Sequence, residues 1–207
     1  MEFQYFGGNC VTITTKHAHL VIDDNLDEIG LKSVTKPDSI SLFTGLPTKA
    51  PKSRLAISDP GEYEVSEVSI FGIASRAHMD EKGQETATIF KIQYEDLRIA
   101  VVGHIHPELS DDHLEEIGTV DILIIPTGGN GYTLDPIGAL QVVRKIEPKI
   151  VIPTNFDDPK INYPVPQQPL ADVIKGLSME PKETYTKFKP KPADFTDTTQ
   201  LVVLERQ

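Results

Sequence analysis

The chain has 207 residues, with 31 Asp and Glu against 20 Lys and Arg and a formal net charge of −11. An acidic chain without a basic stripe excludes general binding to a nucleic-acid backbone, and the sequence holds no apolar run long enough to span a bilayer. Cys10 is the only cysteine, so no internal disulfide can form, and the first residues lack the basic start and apolar core of a signal peptide. The expectation is one domain over residues 1–207, in the cytoplasm.

Residues 3–6, 11–14 and 19–22 read as three strands, the first two joined through Gly7-Gly8-Asn9 and the last ending in Asp23-Asp24, which predicts antiparallel hairpins. Residues 25–36 read as irregular or helical. A short strand at 39–43 runs into a loop at 44–52 that contains Gly45, Pro47 and Pro51 and so cannot be regular. Strands follow at 55–57, 61–65, 68–74 and 86–94.

From residue 97 the pattern changes. The runs 98–102, 122–125 and 150–152 are short, rich in Ile and Val, and bounded by turn residues, as suits strands buried on both faces. Between them lie two helical patterns, 110–117 and 134–146, the second opening with Asp135-Pro136 as N-cap and first helical residue. Strand–helix–strand–helix–strand predicts an α/β layer whose strand ends present the loops 103–106, 127–129 and 154–155, and an active site is expected there. A Pro-rich loop, a helix at 170–177, a polar linker and a closing strand at 199–205 complete the chain. The run Leu201-Val202-Val203-Leu204 offers an edge through which two copies could pair.

The ordered series Gly7-Gly8-Asn9-Cys10, Leu20-Val21-Ile22-Asp23, Pro60-Gly61-Glu62-Tyr63-Glu64-Val65, Arg98-Ile99-Ala100 with Gly103, Asp121-Ile122-Leu123-Ile124-Ile125-Pro126, Gly131-Tyr132-Thr133-Leu134-Asp135 and Pro148-Lys149-Ile150-Val151-Ile152-Pro153 resembles the metallo-β-lactamase fold hydrolases. It is most similar to the small single-domain branch of Zn-dependent hydrolases related to the ascorbate-phosphate lactonase. The resemblance covers nearly the whole chain and implies a four-layer αββα sandwich with its site on one edge, between the sheets. It also implies where metal ligands should stand. The strand at 39–43 should be followed by His-x-His-x-Asp-His, whose side chains hold one or two Zn²⁺ and generate a hydroxide nucleophile. Here the place reads Thr44-Gly45-Leu46-Pro47-Thr48-Lys49. The family's Gly-Asp after strand 98–102 is Gly103-His104, its His after Ile152-Pro153 is Asn155, and the His at position 8 or 9 of its N-terminal Gly-His-Ser-Cys is absent, with Gly8 and Asn9 instead. Of the family's ligand types only His78 is kept.

His78, His104 and His106 are the candidate metal ligands, since residues 104 and 106 share one side of an extended segment and three imidazoles form a catalytic zinc centre elsewhere. The competing reading of His78 is a polar residue hydrogen-bonded at a strand end. His17 and His19 read as solvated hairpin residues, and His113 as a helix-surface residue. Lys49, Lys52 and Arg54, with Asn155, are the candidate ligand-binding residues, the cations replacing lost metal charge for an anionic group. Asp23, Asp59 and Glu62 qualify as acid/base groups only if they converge, Cys10 reads as core, and 127–131 is a glycine-rich turn without the Lys of a P-loop.

The leading expectation is therefore a divergent member of the fold that has lost its metal site and its hydrolytic chemistry and binds a small ligand or a partner protein, with no cofactor. The alternative is a metal-dependent hydrolase of an ester, lactone or phosphoester, with Zn at a rearranged His site.

Overall fold

The computed structural model describes residues 1–47, 49 and 52–207. Two sheets face each other. The first has five strands in the order β1 (Glu2–Gly7), β2 (Cys10–Thr14), β3 (His19–Ile22), β4 (Ile40–Leu42) and β5 (Leu55–Ile57), antiparallel as far as β3 and parallel beyond it. The second has seven. Their chain order is β6 (Gly61–Val65), β7 (Val68–Ser75), β8 (Ala87–Tyr94), β9 (Leu97–Val101), β10 (Ile122–Pro126), β11 (Ile150–Thr154) and, after the two-residue β12 (Thr184–Tyr185), β13 (Gln200–Leu201). In space they run β13-β11-β10-β9-β8-β7-β6, with a parallel half from β9 to β13 and an antiparallel meander from β6 to β9.

One continuous apolar cluster lies between the sheets. It joins Phe3, Tyr5, Val11, Ile13 and Leu20 from the first to Ile70, Phe90, Ile99, Ile122 and Ile150 from the second. Strands β10 and β11 are buried at every residue, which is why they read as unbroken Ile/Val runs. The helices α1 (Asp111–Ile117), α2 (Pro136–Ile146) and α3 (Leu170–Leu177) form the layer outside the second sheet, with α1 against β7, α2 against β10 and α3 against α2. The predicted cap of α2 is present, Asp135 Oδ1 accepting from the Gly138 amide at 2.7 Å, and α1 is capped by Ser110, which accepts from the His113 amide. Outside the first sheet lies a thinner layer, the 3-10 turn Leu26–Ile29 and the extended residues after it, with Leu26 packed on Cys10 and Val21. The chain is thus an αββα-type sandwich, as the resemblance implied, in which the outer layer on the first sheet is this 3-10 turn and extended chain and holds no α-helix among the described residues.

Several local expectations are corrected. The polar linker after α3 contains β12, and Phe188 anchors it to β1 by exchanging backbone hydrogen bonds with Phe3 (2.8 and 3.0 Å). The closing strand is split: β13 pairs with β11, whereas β14 (Val203–Leu204) pairs with β12, so part of the edge read as available to a second copy is occupied within the chain. His113 is not merely a helix-surface residue. Its Nδ1 accepts from the Ser110 amide, and Nε2–H is then left to donate to Ala74 O at 3.0 Å, tying α1 to β7. No helix among the described residues is long and apolar enough to cross a membrane.

Candidate functional site

The site edge is made where parallel strands end. Asp23 follows β3, Thr44 follows β4, Gly103-His104 follow β9 and Asn155 follows β11, while the β1–β2 turn brings Gly8 and Asn9 alongside. Four of these residues have left-handed backbone, Gly8 at φ 55°, Asp23 at φ 45°, Gly103 at φ 39° and Asn155 at φ 55°. Asp and Asn tolerate that region better than other side-chain-bearing residues do, and here each turns the chain sharply out of its strand.

Asp23 is buried and grips Thr44 twice, accepting from the Thr44 amide at Oδ1 (2.7 Å) and from the Thr44 hydroxyl at Oδ2 (2.6 Å). The Thr44 oxygen lies 2.9 Å from His104 Nδ1. An ionised carboxylate only accepts, so the Thr44 proton points at Asp23 and the Thr44 oxygen must accept from His104 Nδ1–H. That leaves the lone pair on His104 Nε2, which accepts from the Asn9 amide nitrogen at 3.3 Å. Asn9 Oδ1 in turn accepts from the Thr154 hydroxyl at 3.1 Å. With Asp23 ionised, one directional chain therefore runs from Thr154 through Asn9, His104 and Thr44 to Asp23. Burial pushes the Asp23 carboxyl up, against His104 and the two Thr44 hydrogen bonds, which pull it down.

Beside this chain, Asn155 donates from its amide nitrogen to Thr133 Oγ1 (3.2 Å) and Gln167 Oε1 (3.0 Å), and its main chain donates to Gly8 O at 2.7 Å. Gly128 passes so close that a Cβ there would strike Asn155 O and Gln167 Oε1. These groups wall a cleft of about 240 Å³ that also takes in Asn25, Glu28, Tyr132 and Tyr163.

Of the candidate metal ligands, His104 is in this cleft. His78 lines a second hollow next to it, bordered by Asp135 and Ile137, and its ring centroid lies 6.2 Å from that of His106. The three imidazoles do not share one centre, because the pairing of 76–78 with 104–106 sends the ring of His104 towards Thr44 instead. His78 Nδ1 is buried without a hydrogen-bond partner. Among the described residues, no three His, Cys, Asp or Glu side chains are grouped so as to hold a metal ion. In the cleft itself the carboxylate and imidazole of Asp23 and His104 are committed to Thr44 and Asn9, and the other donors are amides, hydroxyls and the single carboxylate of Glu28. That set does not fit the zinc centre of the fold family. Thr48, part of the segment that replaces the family's motif, lies outside the described residues, as do Ala50 and Pro51.

Of the candidate ligand-binding residues, Asn155 lines the cleft. Lys49 instead pairs with Asp27 at 2.5 Å, and Lys52 and Arg54 are exposed and line no part of the cleft. Asp59 and Glu62 are exposed on the strand β6 side and do not converge on Asp23. Cys10 is fully buried, and burial, followed by Asp24 and Asp23, pushes its thiol well up, as suits a core residue. Sequence reasoning missed Tyr132, Tyr163, Gln167 and the link through Thr44, none of which carries a spacing signal.

An αββα sandwich with its cleft at these strand ends is a metallo-β-lactamase-type hydrolase architecture. The chain belongs to the family described as the beta-lactamase superfamily domain, whose model matches residues 2–155. Solved structures agree on the fold. A candidate zinc-dependent hydrolase of the metallo-β-lactamase superfamily from Thermotoga maritima superposes with a TM-score of 0.74 at 21% identity, covering 99% of this chain and 98% of its own. A metallo hydrolase from Ignicoccus hospitalis gives 0.63 at 14% identity, over 92% and 99%. A candidate metal-dependent hydrolase from Parabacteroides distasonis gives 0.64 at 13%, over 99% and 93%. No curated protein matches the chain in sequence.

Proposed function

We propose that this protein is a member of the family that has exchanged metal-hydroxide hydrolysis for binding, and that its cleft takes a small, neutral, polar ligand. The observation that supports this is the hydrogen-bonded chain from Thr154 to Asp23. It puts His104 and Thr44 where the family's sequence pattern places ligating side chains, with Asn9 beside them, and it commits both ring nitrogens of His104 and the Thr44 proton to hydrogen bonds within the chain. The remaining lining mixes amides, hydroxyls and tyrosines, which donate and accept alike and so suit hydroxyl and carbonyl groups, with the apolar side chains of Leu26, Ile29, Pro164 and Val165. Asp23 and Glu28 disfavour an anion there.

A second reading keeps a metal-dependent hydrolase of an ester, lactone or phosphoester, centred on His78 and His106. The unpartnered Nδ1 of His78 favours it.

Elemental analysis of protein purified without chelator or a His-tag, followed by titration with Zn²⁺, Mn²⁺ and Fe²⁺, separates the two. Binding without metal predicts no tight equivalent of any of the three, together with shifts of the His104 and Asn155 NMR signals on screening neutral sugars and nucleosides. Tight uptake of about one metal that His78→Ala abolishes would overturn the proposal and turn the search to phosphoester and lactone substrates.

A further inference from the structure

Away from the cleft, the outer face of the first sheet carries a groove that the fold leaves open. Alternation along β1, β2 and β3 sends Tyr5, Val11, Ile13 and Leu20 into the core and leaves Phe6, Thr12 and His19 on the other face. Among the described residues no α-helix packs there. Residues 30–36 cross it instead as an extended strap. Asp24 Oδ2 holds that strap by accepting from Ser33 Oγ (2.8 Å), the Val34 amide (2.9 Å), the Thr35 amide (2.7 Å) and Thr35 Oγ1 (2.5 Å). The space between strap, sheet and the last two residues is about 650 Å³, within the range of small-molecule sites.

Its lining is unlike the rest of the surface. Phe6, Leu31 and Val34 supply apolar area, and Lys32, Lys36 and Arg206 supply charge, yet no Asp or Glu side chain lines it. In a chain with 31 acidic against 20 basic residues, that is a local reversal of sign. Arg206 is held by Asp158 at 2.6 Å, but neither Lys32 nor Lys36 has a carboxylate within ion-pair distance among the described residues. Asp38, near enough to act on His19, is not part of the lining. Thr12, on the groove wall, is 1% exposed and its hydroxyl has no hydrogen-bond partner. Buried hydroxyls in native proteins are nearly always paired, so this one marks a place for an acceptor.

We propose that this groove is a second binding site, independent of the cleft, for a carboxylate on a medium-length apolar chain. The apolar body lies against Phe6, Leu31 and Val34, and the carboxylate meets Lys32 and Lys36 in charge-assisted contact.

Decanoate, decanol and inorganic phosphate, each titrated below any micelle concentration into the ¹⁵N-labelled full chain, test this. Decanoate is expected to shift the amides of Thr12, His19 and Val34 while sparing His104 and Asn155, and decanol to bind at least about tenfold more weakly. Phosphate, which lacks an apolar body, is expected to shift none of them. The Lys32→Glu, Lys36→Glu double variant, with unchanged melting, should weaken decanoate by about tenfold or more, and Val34→Glu should do the same by filling the groove. Equal affinity for decanoate and decanol, unchanged binding by the variants, or shifts confined to the cleft would overturn the proposal. So would capture by phosphatidylglycerol vesicles with no binding of monomeric decanoate, which would make the face a membrane contact.

Discussion

Asp23 and Thr44 are 21 residues apart in the chain and joined by two short hydrogen bonds, 2.7 Å from the Thr44 amide and 2.6 Å from its hydroxyl. The pairing fixes the polarity of everything beyond it. In Asp23→Asn, an amide group facing the Thr44 oxygen would donate to it, and the Thr44 proton would turn to His104 Nδ1. His104 would then carry its proton on Nε2, opposite the Asn9 amide that also donates. We expect ¹⁵N spectra to show His104 with Nδ1–H in the wild type and Nε2–H in the variant, with a stability loss of about 1–2 kcal/mol. An unchanged tautomer would disprove the directional chain.

The same pair has a pH signature. Burial sets the Asp23 carboxyl above its ordinary value, so the native state holds that proton more tightly than the unfolded chain does. Its contribution to stability is fully present below the unfolded value near about 3.9 and is lost as pH rises through the folded value. Asp23→Asn should therefore flatten the stability profile across that window, as read by melting at stepped pH.

Asp121 titrates in the opposite direction. Although burial pushes its carboxyl up, Arg98, with two side-chain bonds of 2.9 and 3.0 Å, and Lys149, at 3.2 Å, outweigh it and hold the group below the usual range. The stability it contributes is present above the unfolded value and is lost as pH falls through the folded one. Asp121→Asn should cost about 2 kcal/mol at neutral pH and should cost less in acid, because these bonds tie the starts of β9, β10 and β11 together.

Gly103 stands against Thr44 so closely that a Cβ would overlap the Thr44 hydroxyl, and its φ is 39°. Gly103→Ala is expected to cost about 2–4 kcal/mol from overpacking and backbone strain, and to release His104 from Thr44. Chemical denaturation measures the first effect, and the His104 ¹⁵N shifts measure the second.

Asp135 caps α2 and, across the hollow, raises the His78 imidazole, which burial and then His106 and Arg76 lower overall. Asn caps a helix as well as Asp does. Asp135→Asn should therefore leave the melting temperature nearly unchanged while His78 titrates lower still, as an NMR pH titration would show.

The sequence by itself determined the layers. Ile and Val runs of strand length at 122–125 and 150–152, the Asp135-Pro136 helix start and the ordered series of turns all report on burial and backbone geometry, which act locally and leave periodic traces. Through the resemblance it also marked which residues stand where that family's metal motifs are expected, because that is a matter of residue identity at fixed places. Only the tertiary structure decided what fills those places. Thr154, Asn9, His104 and Thr44 are linked in turn across separations of up to 145 residues, and hydrogen bonds between such partners leave no period in the chain. The same holds for Lys49, whose charge read as a ligand for an anion until the fold set Asp27 against it. Lys32 and Lys36 fall in the segment 25–36 that read only as irregular or helical; their shared groove exists because the strap is pinned at Asp24 and no α-helix among the described residues closes that face. A directional bond is chosen by where the backbone places its donor, and in this protein that placement belongs to the packing of two sheets rather than to any one segment.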